Sequence, residues 1–197
     1  MRAQAHTLEG VAAALVVVVA VAFTLQATAV TPLTASTASQ HIETQHERAA
    51  SGLLAVEREN GNISRTLRYW NASSASFRNA TADGYYVGVP PNASFLRAVE
   101  ETFGDRSVAY NVNAYYVDED GDRRLRRVVY HGQPSSEAVS ATRLVTLYDD
   151  QHVTVRDGSE FVRAESEPTL EDASYFPPDA PGHGYAVVEV EVVVWRM

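Results

Sequence analysis

The feature that most constrains this chain is a predominantly apolar segment near its N-terminus, residues 10–30. No charged residue occurs between Glu9 and Glu43. About 20 apolar residues at about 1.5 Å each match a hydrocarbon core of about 30 Å. A backbone within lipid must satisfy its own hydrogen bonds, which favours a helix. The sequence therefore predicts a single transmembrane helix over residues 10–33, in contact with membrane lipid.

Three interpretations compete for this segment. A cleaved secretory signal peptide needs a charged n-region, a shorter apolar core and a small-residue cleavage site. Residues 27–29, Ala-Thr-Ala, fit such a site, but the n-region carries one Arg and Glu9 abuts the apolar run. The second interpretation is an uncleaved signal anchor. The third takes the short head, residues 1–9, as the informative part.

The head reads RAQAHTLE over residues 2–9 and leads into a Val/Ala/Leu run. It resembles the class III signal peptide of type IV pilin-like precursors, in particular uncharacterised pilin-like membrane proteins of haloarchaea. The resemblance implies that a prepilin-type peptidase removes the head on the cytoplasmic side. A cut after Ala3 makes Gln4 the first mature residue and Glu9 the sixth, whereas a cut after Gln4 starts the mature chain at Ala5 and makes Glu9 the fifth.

Glu9 has two interpretations. The resemblance implies that its carboxylate pairs with the N-terminal amine of a neighbouring pilin-like subunit. The simpler interpretation is an interfacial residue, because negative charge is favoured near a helix N-terminus. Deep in lipid, a carboxylate costs about 2.5–3.5 kcal/mol on insertion scales, so at the end of the run it is expected to reach headgroups or a cation.

The charge balance restricts the partners of the chain. There are 25 acidic and 16 basic residues, and every basic residue is Arg. An acidic chain without Lys fits a salt-adapted, halophilic archaeal proteome, because strong salt screens surface charge; a GC-rich genome is the alternative. The negative charge argues against nucleic-acid binding, which needs a basic face. The absence of Cys excludes disulfides and thiol chemistry.

Orientation follows from charges and sequons. Arg2 is the only basic side chain before Arg48, so the positive-inside rule places the N-terminus in the cytoplasm and the C-terminal domain outside the cell. Four N-x-Ser/Thr sequons follow, and sequons accept glycans only outside the cytoplasm. The candidate glycosylation sites are Asn62, Asn71, Asn79 and Asn92.

Beyond the membrane, residues 34–60 predict an amphipathic helical stalk, with Ile42, Ala49, Leu53 and Val56 on one face. Residues 61–197 predict an extracytoplasmic domain. A helix is expected through Phe95 and Phe103, capped by Asn92 or Ser94. Strand periodicity appears near 108–116, 124–130, 139–148, 153–156, 161–163 and 185–195. The predicted fold class is α+β: a long N-terminal transmembrane helix that continues as an amphipathic helix, packed on a mostly antiparallel sheet.

Residues that carry chemistry are few. Asp118, Asp120 and Asp122 form part of a calcium-loop pattern, but the spacing and the terminal Glu are absent, so a solvated hairpin turn is favoured. His41 and His46 do not share a helix face as an i,i+4 pair would. Trp70 and the pairs 85–86 and 115–116 are aromatic, and packing is favoured over a binding face.

We therefore expect no catalytic residue, metal site or cofactor. The predicted function is a non-enzymatic pilin-like subunit or accessory component of a cell-surface filament or secretion apparatus. The alternative is a monomeric, membrane-tethered binding, adhesion or sensor module. An ectoenzyme ranks third, because no phosphate loop, nucleophile elbow or zinc-protease motif occurs.

Overall fold

The computed structural model describes residues 2–90, 93–104, 107–157, 160–163, 165–173, 175–176 and 184–197; side chains are not described for residues 2–8, 26–39 and 160. The candidate processing residues Ala3, Gln4 and Ala5 thus have described backbone only, and Asn92 lies outside the described residues. The chain divides into two compact units, Met1–Ile42 and Glu43–Met197.

The first helix, α1, spans Arg2–Glu59 and so contributes to both units. It includes the segments predicted as a membrane helix and as a stalk. Its end at Glu59 agrees with the predicted Asn-Gly turn, since Gly61 adopts a φ of 70°, which glycine tolerates without strain. Among the residues whose side chains are described, no helix is long and apolar enough to cross a membrane.

The second unit contains short helices and strands that precede a large antiparallel sheet. Helix α2 spans Asn62–Leu67, and a small hairpin follows, with β1 at Trp70–Asn71 and β2 at Ser76–Phe77. Helix α3 spans Ser94–Phe103. Its cap differs from the prediction: Ser94 is the first helical residue and Ala93 occupies the N-cap without a side-chain hydrogen bond. Gly104 ends the helix as predicted.

Four antiparallel strands form the main sheet, in the order β4-β3-β8-β5. Their bounds are Val108–Val117 for β3, Arg123–Tyr130 for β4, Val139–Tyr148 for β5 and Tyr185–Arg196 for β8. A separate hairpin joins β6, Thr154–Asp157, to β7, Glu160–Arg163. The predicted α+β class with an antiparallel sheet is confirmed.

Alternation along β8 decides which face of the sheet packs against the helices. Val188, Val190, Val192 and Val194 are fully buried, whereas Glu189 and Glu191 lie on the opposite face, as predicted. The register places Val112 and Ala141 on either side of Val192, so the buried face continues across neighbouring strands. Burial of these apolar side chains removes them from water and stabilises the domain.

The C-terminal part of α1 packs on this core through a face that the sequence predicted only in part. The buried residues are Ala50 and Leu54, each with no exposed surface, whereas Val56 is 54% exposed. The predicted face is confirmed at Ala49 and Leu53, which are partly buried and pack against the core, and it is wrong at Val56. Arg143 of β5 contributes to this choice, because its guanidinium donates to the hydroxyl of Ser51 at 3.0 Å. That contact joins α1 to the edge strand of the main sheet.

Hydrogen bonds tie α2 to the β6–β7 hairpin. The Thr154 hydroxyl donates to the carbonyl of Arg65 at 2.8 Å, and the Arg68 guanidinium donates to the carbonyl of His152 at 2.8 Å. Thr154 is fully buried, so its hydrogen bond satisfies a hydroxyl that would otherwise be costly to bury. These bonds hold the hairpin against the end of α2.

Candidate functional site

The most unusual surface belongs to the N-terminal part of α1. Val16, Val17, Val18 and Val19 are each at least 60% exposed, and Leu15 and Phe23 are 60% and 73% exposed. Successive helical residues are about 100° apart, so five consecutive positions from 15 to 19 cover the whole circumference. This segment is apolar on every side, which is typical of a helix whose surroundings are themselves apolar.

Glu9 lies at the start of this apolar surface and is exposed. It precedes Val11, which is 62% exposed. The described residues therefore place a carboxylate next to an apolar helical surface, as the sequence order requires. The subunit-pairing role of Glu9 needs a second copy of the chain and stays a prediction.

A second candidate surface is the side of the main sheet that faces away from the helices. Here the Glu191 carboxylate accepts hydrogen bonds from the Asn113 amide at 3.0 Å and from the Tyr115 hydroxyl at 3.1 Å. Arg123 donates to Glu189 at 2.9 Å and lies 3.8 Å above the Tyr115 ring. Partial burial and then the Glu191 charge raise the pKa of Tyr115. A raised pKa keeps the phenol neutral and able to donate to Glu191, and this network orders the surface.

A third candidate is an aromatic cluster, defined by Trp70, Phe77, Tyr175 and Phe176. The Trp70 ring lies 5.5 Å from Phe77 and 5.3 Å from both Tyr175 and Phe176. The Arg126 guanidinium lies 5.0 Å from the Trp70 ring, at cation–π distance. The buried Trp70 Nε1 and Arg126 Nε have no hydrogen-bond partner within the described residues.

A shallow groove opens beside Arg126. It is lined by Asp83, Gly84, Tyr85, Leu125, Arg126 and Arg127. The predicted aromatic residues therefore divide between roles: Trp70 and Tyr86 are buried in the core, whereas Tyr85, Tyr115 and Tyr116 are half-buried. Arg126 was missed by sequence reasoning, because an Arg in a basic strand gives no sign that its partners are aromatic rings.

The acidic turn between β3 and β4 is a hairpin turn, as favoured. Asp118 Oδ1 accepts hydrogen bonds from the backbone N–H groups of Asp120 and Asp122, at 3.1 and 2.8 Å. Asp118 Oδ2 accepts from Arg124 at 2.5 Å, and this bond lowers the pKa of the carboxyl group. Both oxygens thus accept hydrogen bonds that close the turn.

The two helical histidines lie in different surroundings. His41 is exposed, and the His46 ring makes an edge contact with Phe103 at 6.2 Å. In the described part of the chain, no group of three or more His, Cys, Asp or Glu side chains is arranged to hold a metal ion.

The three described sequons have different geometries. Asn62 begins α2, and its amide donates to Glu57 and accepts from Arg65. Asn71 lies in β1, and its Oδ1 accepts from the backbone N–H of Ser73 at 3.0 Å. Asn79 has a φ of 59°, and its Nδ2 donates to the Tyr69 hydroxyl at 2.9 Å. Whether any of them carries a glycan stays a prediction.

Comparison with known families identifies the chain. A family model described as a family of unknown function (DUF7288) matches residues 2–194. The chain belongs to this family. Because the match includes both α1 and β8, the DUF7288 pattern covers the N-terminal helix together with the sheet. The description assigns no activity, ligand or partner. No curated protein and no solved structure matches the chain.

Proposed function

We propose that this protein is a non-enzymatic, pilin-like subunit or accessory component of a cell-surface filament or secretion apparatus. Its N-terminal helix anchors it in the cell membrane, its head lies in the cytoplasm, and its α+β domain lies outside. A prepilin-type peptidase removes the head after Ala3 or Gln4. The apolar part of α1 then packs among membrane lipids or among the equivalent helices of neighbouring subunits.

The observation that carries this proposal is the exposure of apolar side chains around the whole of the N-terminal segment. Val16 is 69% exposed and Leu25 is 65% exposed, so the segment does not bury these side chains by itself. Removing one such side chain from water is worth about 1.5–3 kcal/mol. The apolar sequence continues to Val30, and the described side chains reach Leu25. An apolar environment around α1 is the state that this composition favours.

Glu9 gives the proposal its specificity. A carboxylate at the edge of an apolar environment is favoured when a cation lies beside it, and the N-terminal ammonium group of an adjacent subunit would supply that cation. Processing after Ala3 or Gln4 creates a new amine four or five residues before Glu9. The cut and the pairing therefore depend on each other: without cleavage the amine stays at Met1, eight residues away from Glu9.

The proposal is tested on protein isolated from its own host. The membrane fraction is solubilised, and the N-terminal peptide is identified by mass spectrometry; we expect a mature chain that begins at Gln4 or Ala5. Replacement E9Q is expected to remove the protein from the sheared surface-filament fraction while leaving it in the membrane fraction. The matched control is E47Q, because Glu47 is an exposed glutamate of the same helix.

Two results would contradict the proposal. Recovery of the full chain, with its head, in the fraction that is soluble without detergent would contradict membrane anchoring by the N-terminal helix. If the E9Q protein assembles as well as the E47Q control, the subunit-pairing role of Glu9 is contradicted.

The groove beside Arg126 favours a second candidate, a monomeric, membrane-tethered binding or sensor module. The groove combines an aromatic side chain, Tyr85, with the cationic Arg126 and Arg127 and the acidic Asp83. Ligand sites combine apolar side chains with a few polar or charged groups, and Tyr85 and Leu125 supply the apolar part of this groove. An intact Met1 or Arg2 at the N-terminus, together with a single monomeric species in detergent, would support this module over the pilin-like subunit.

A further inference from the structure

We propose that Asn71 is an N-glycan acceptor of this domain and that Asn62 and Asn79 stay unmodified. The inference rests on the proposed location of the domain outside the cytoplasm. The four sequons are equivalent in the sequence, since each has Asn followed two residues later by Ser or Thr. The structure distinguishes the three that it describes by what their amide nitrogens contact.

Asn71 lies at the base of a tight turn. Residues 72–75 connect β1 to β2, and Asn71 pairs with Ser76 across the hairpin. Ser73, Ser74 and Ala75 are exposed, and Ala75 adopts a φ of 46°. The Arg126 guanidinium donates to the Ala75 carbonyl at 3.0 Å, which holds the turn in position. Asn71 itself is half-buried, and the hydroxyl residue of its sequon, Ser73, lies in the exposed turn at the surface.

The Asn71 side chain forms an Asx turn with the hydroxyl residue of its own sequon. Its Oδ1 accepts the Ser73 backbone N–H at 3.0 Å, which is a local arrangement that Asn favours in turns. Nδ2 is on the other branch of the same planar amide and donates to no described residue. Attachment of a sugar to Nδ2 therefore breaks no hydrogen bond in the described part of the domain.

The amide of Asn62 is engaged on both sides. Its Nδ2 donates to Glu57 at 2.8 Å, and its Oδ1 accepts from Arg65 at 2.6 Å. The residue is half-buried, as Asn71 is, and it joins the end of α1 to the first turn of α2. A glycan on Nδ2 would have to replace the bond to Glu57 within this junction, where charge-assisted bonds are among the stronger ones.

Asn79 is exposed, but its amide nitrogen is directed towards the core. Nδ2 donates to the hydroxyl of Tyr69 at 2.9 Å, and Tyr69 is 4% exposed. The Tyr69 ring is in turn stacked on Phe161 with centroids 4.0 Å apart. A sugar at this nitrogen would leave a single N–H to donate to the buried phenol and would have to fit beside the Tyr69 ring.

The reaction at Asn71 is a glycosyl transfer. A bond forms between Nδ2 and the anomeric carbon of a glycan carried on a lipid phosphate or pyrophosphate. The bond between that carbon and the phosphate oxygen breaks, and the lipid-linked phosphate leaves with the electron pair. One amide proton passes to a base of the transferase or to water. The activated, lipid-linked glycan is the only co-substrate, and no oxidant or reductant is needed.

Trypsin cleaves after Arg, which supplies every basic residue of the chain, and it separates most of the candidate sites. Asn62 lies in the peptide of residues 59–65 and Asn71 in that of residues 69–78, while Asn79 and Asn92 share the peptide of residues 79–97. The full chain is isolated from its host membrane and these peptides are analysed by mass spectrometry. We expect a glycan mass on peptide 69–78, and none at Asn62 or Asn79; chymotrypsin cleaves at Tyr85 and Tyr86 and separates Asn79 from Asn92.

Matched variants distinguish glycosylation from other mass shifts. Replacement S73A removes the sequon but not Asn71, and is expected to abolish the shift; S73T retains the sequon and is expected to restore it. N62Q leaves peptide 69–78 unchanged. Location is measured separately with S140C, since Ser140 is exposed and the natural chain has no other thiol. A membrane-impermeant maleimide on whole cells is expected to label it.

An unmodified peptide 69–78, or a glycan on Asn62 or Asn79, overturns the inference. If S140C is labelled on intact cells in that case, the proposed location stands and only the choice of Asn71 fails. If S140C is labelled only after lysis, both the proposed location and the choice of Asn71 fail.

Discussion

Replacement L54A tests which face of α1 belongs to the core. Leu54 has no exposed surface and packs within the main hydrophobic cluster, whereas Val56, two residues later on the same helix, is 54% exposed. Deleting a fully buried leucine side chain costs about 2–5 kcal/mol, because both the transfer free energy and the packing around the cavity are lost. The same truncation at Val56 is expected within about 0.5 kcal/mol of zero.

The expected difference is large enough to measure directly. For a domain of about 150–250 residues, each kcal/mol lowers Tm by about 2–4 °C, so a cost of about 3 kcal/mol lowers Tm by about 6–12 °C. Urea unfolding of the full chain in mild detergent, followed by the fluorescence of the buried Trp70 and Trp195, gives the free energy of unfolding. V56A is the matched control. An equal or larger loss for V56A would refute the assigned rotation of α1.

Three further predictions concern the sheet and its turns. Asn111 is 3% exposed and bridges the Gly132 carbonyl and the His131 N–H, so N111A should cost about 1–3 kcal/mol in urea unfolding; Q133A, which truncates an exposed amide side chain in the same region, is its control. Burial, followed by the hydrogen bond to Glu100, raises the pKa of Tyr110, so the folded state favours the neutral phenol. This stabilisation is full below the unfolded pKa of about 10 and is lost as pH rises towards the folded pKa, at up to about 1.4 kcal/mol per pH unit. The Y110F variant should therefore show a smaller fall in the free energy of unfolding as pH rises above about 10. An unchanged pH dependence would contradict the assignment. Addition of calcium should leave Tm unchanged, because both Asp118 oxygens already accept hydrogen bonds. A rise in Tm on adding calcium that is absent in the D118N variant would contradict this prediction.

Much of the sheet followed from the sequence, because alternation along a strand has a period of two and one buried face. Residues 139–148 were predicted as a strand with the bounds of β5, and the separation of Val190 and Val192 from Glu189 and Glu191 along β8 was predicted correctly. The Asn-Gly turn that ends α1 was also predicted, since Gly61 is at a positive φ. These features depend on residues close in the chain.

The helix face of α1 was harder to predict. Small residues are frequent near Ala49 and Ala50, so several rotations of the helix place apolar side chains on one side. The contact of Ser51 with Arg143 joins residues 92 positions apart, and no local pattern indicates it. The cap of α3 also differs from the prediction. Ser94 was a predicted cap but is the first helical residue, because a capping residue and a first-turn residue differ by only one position.

The sequence by itself determined that this chain has an apolar, uncharged segment at residues 10–30, followed by an acidic α+β domain, because composition and periodicity act locally. Only the tertiary structure decided that Leu54 faces the core, that Arg126 lies against Trp70, and that the amides of Asn62, Asn71 and Asn79 have different partners. The physical reason is that hydrogen bonds and ring contacts between distant residues depend on strand order and register. Identical sequons therefore acquire different chemistry once the chain is folded.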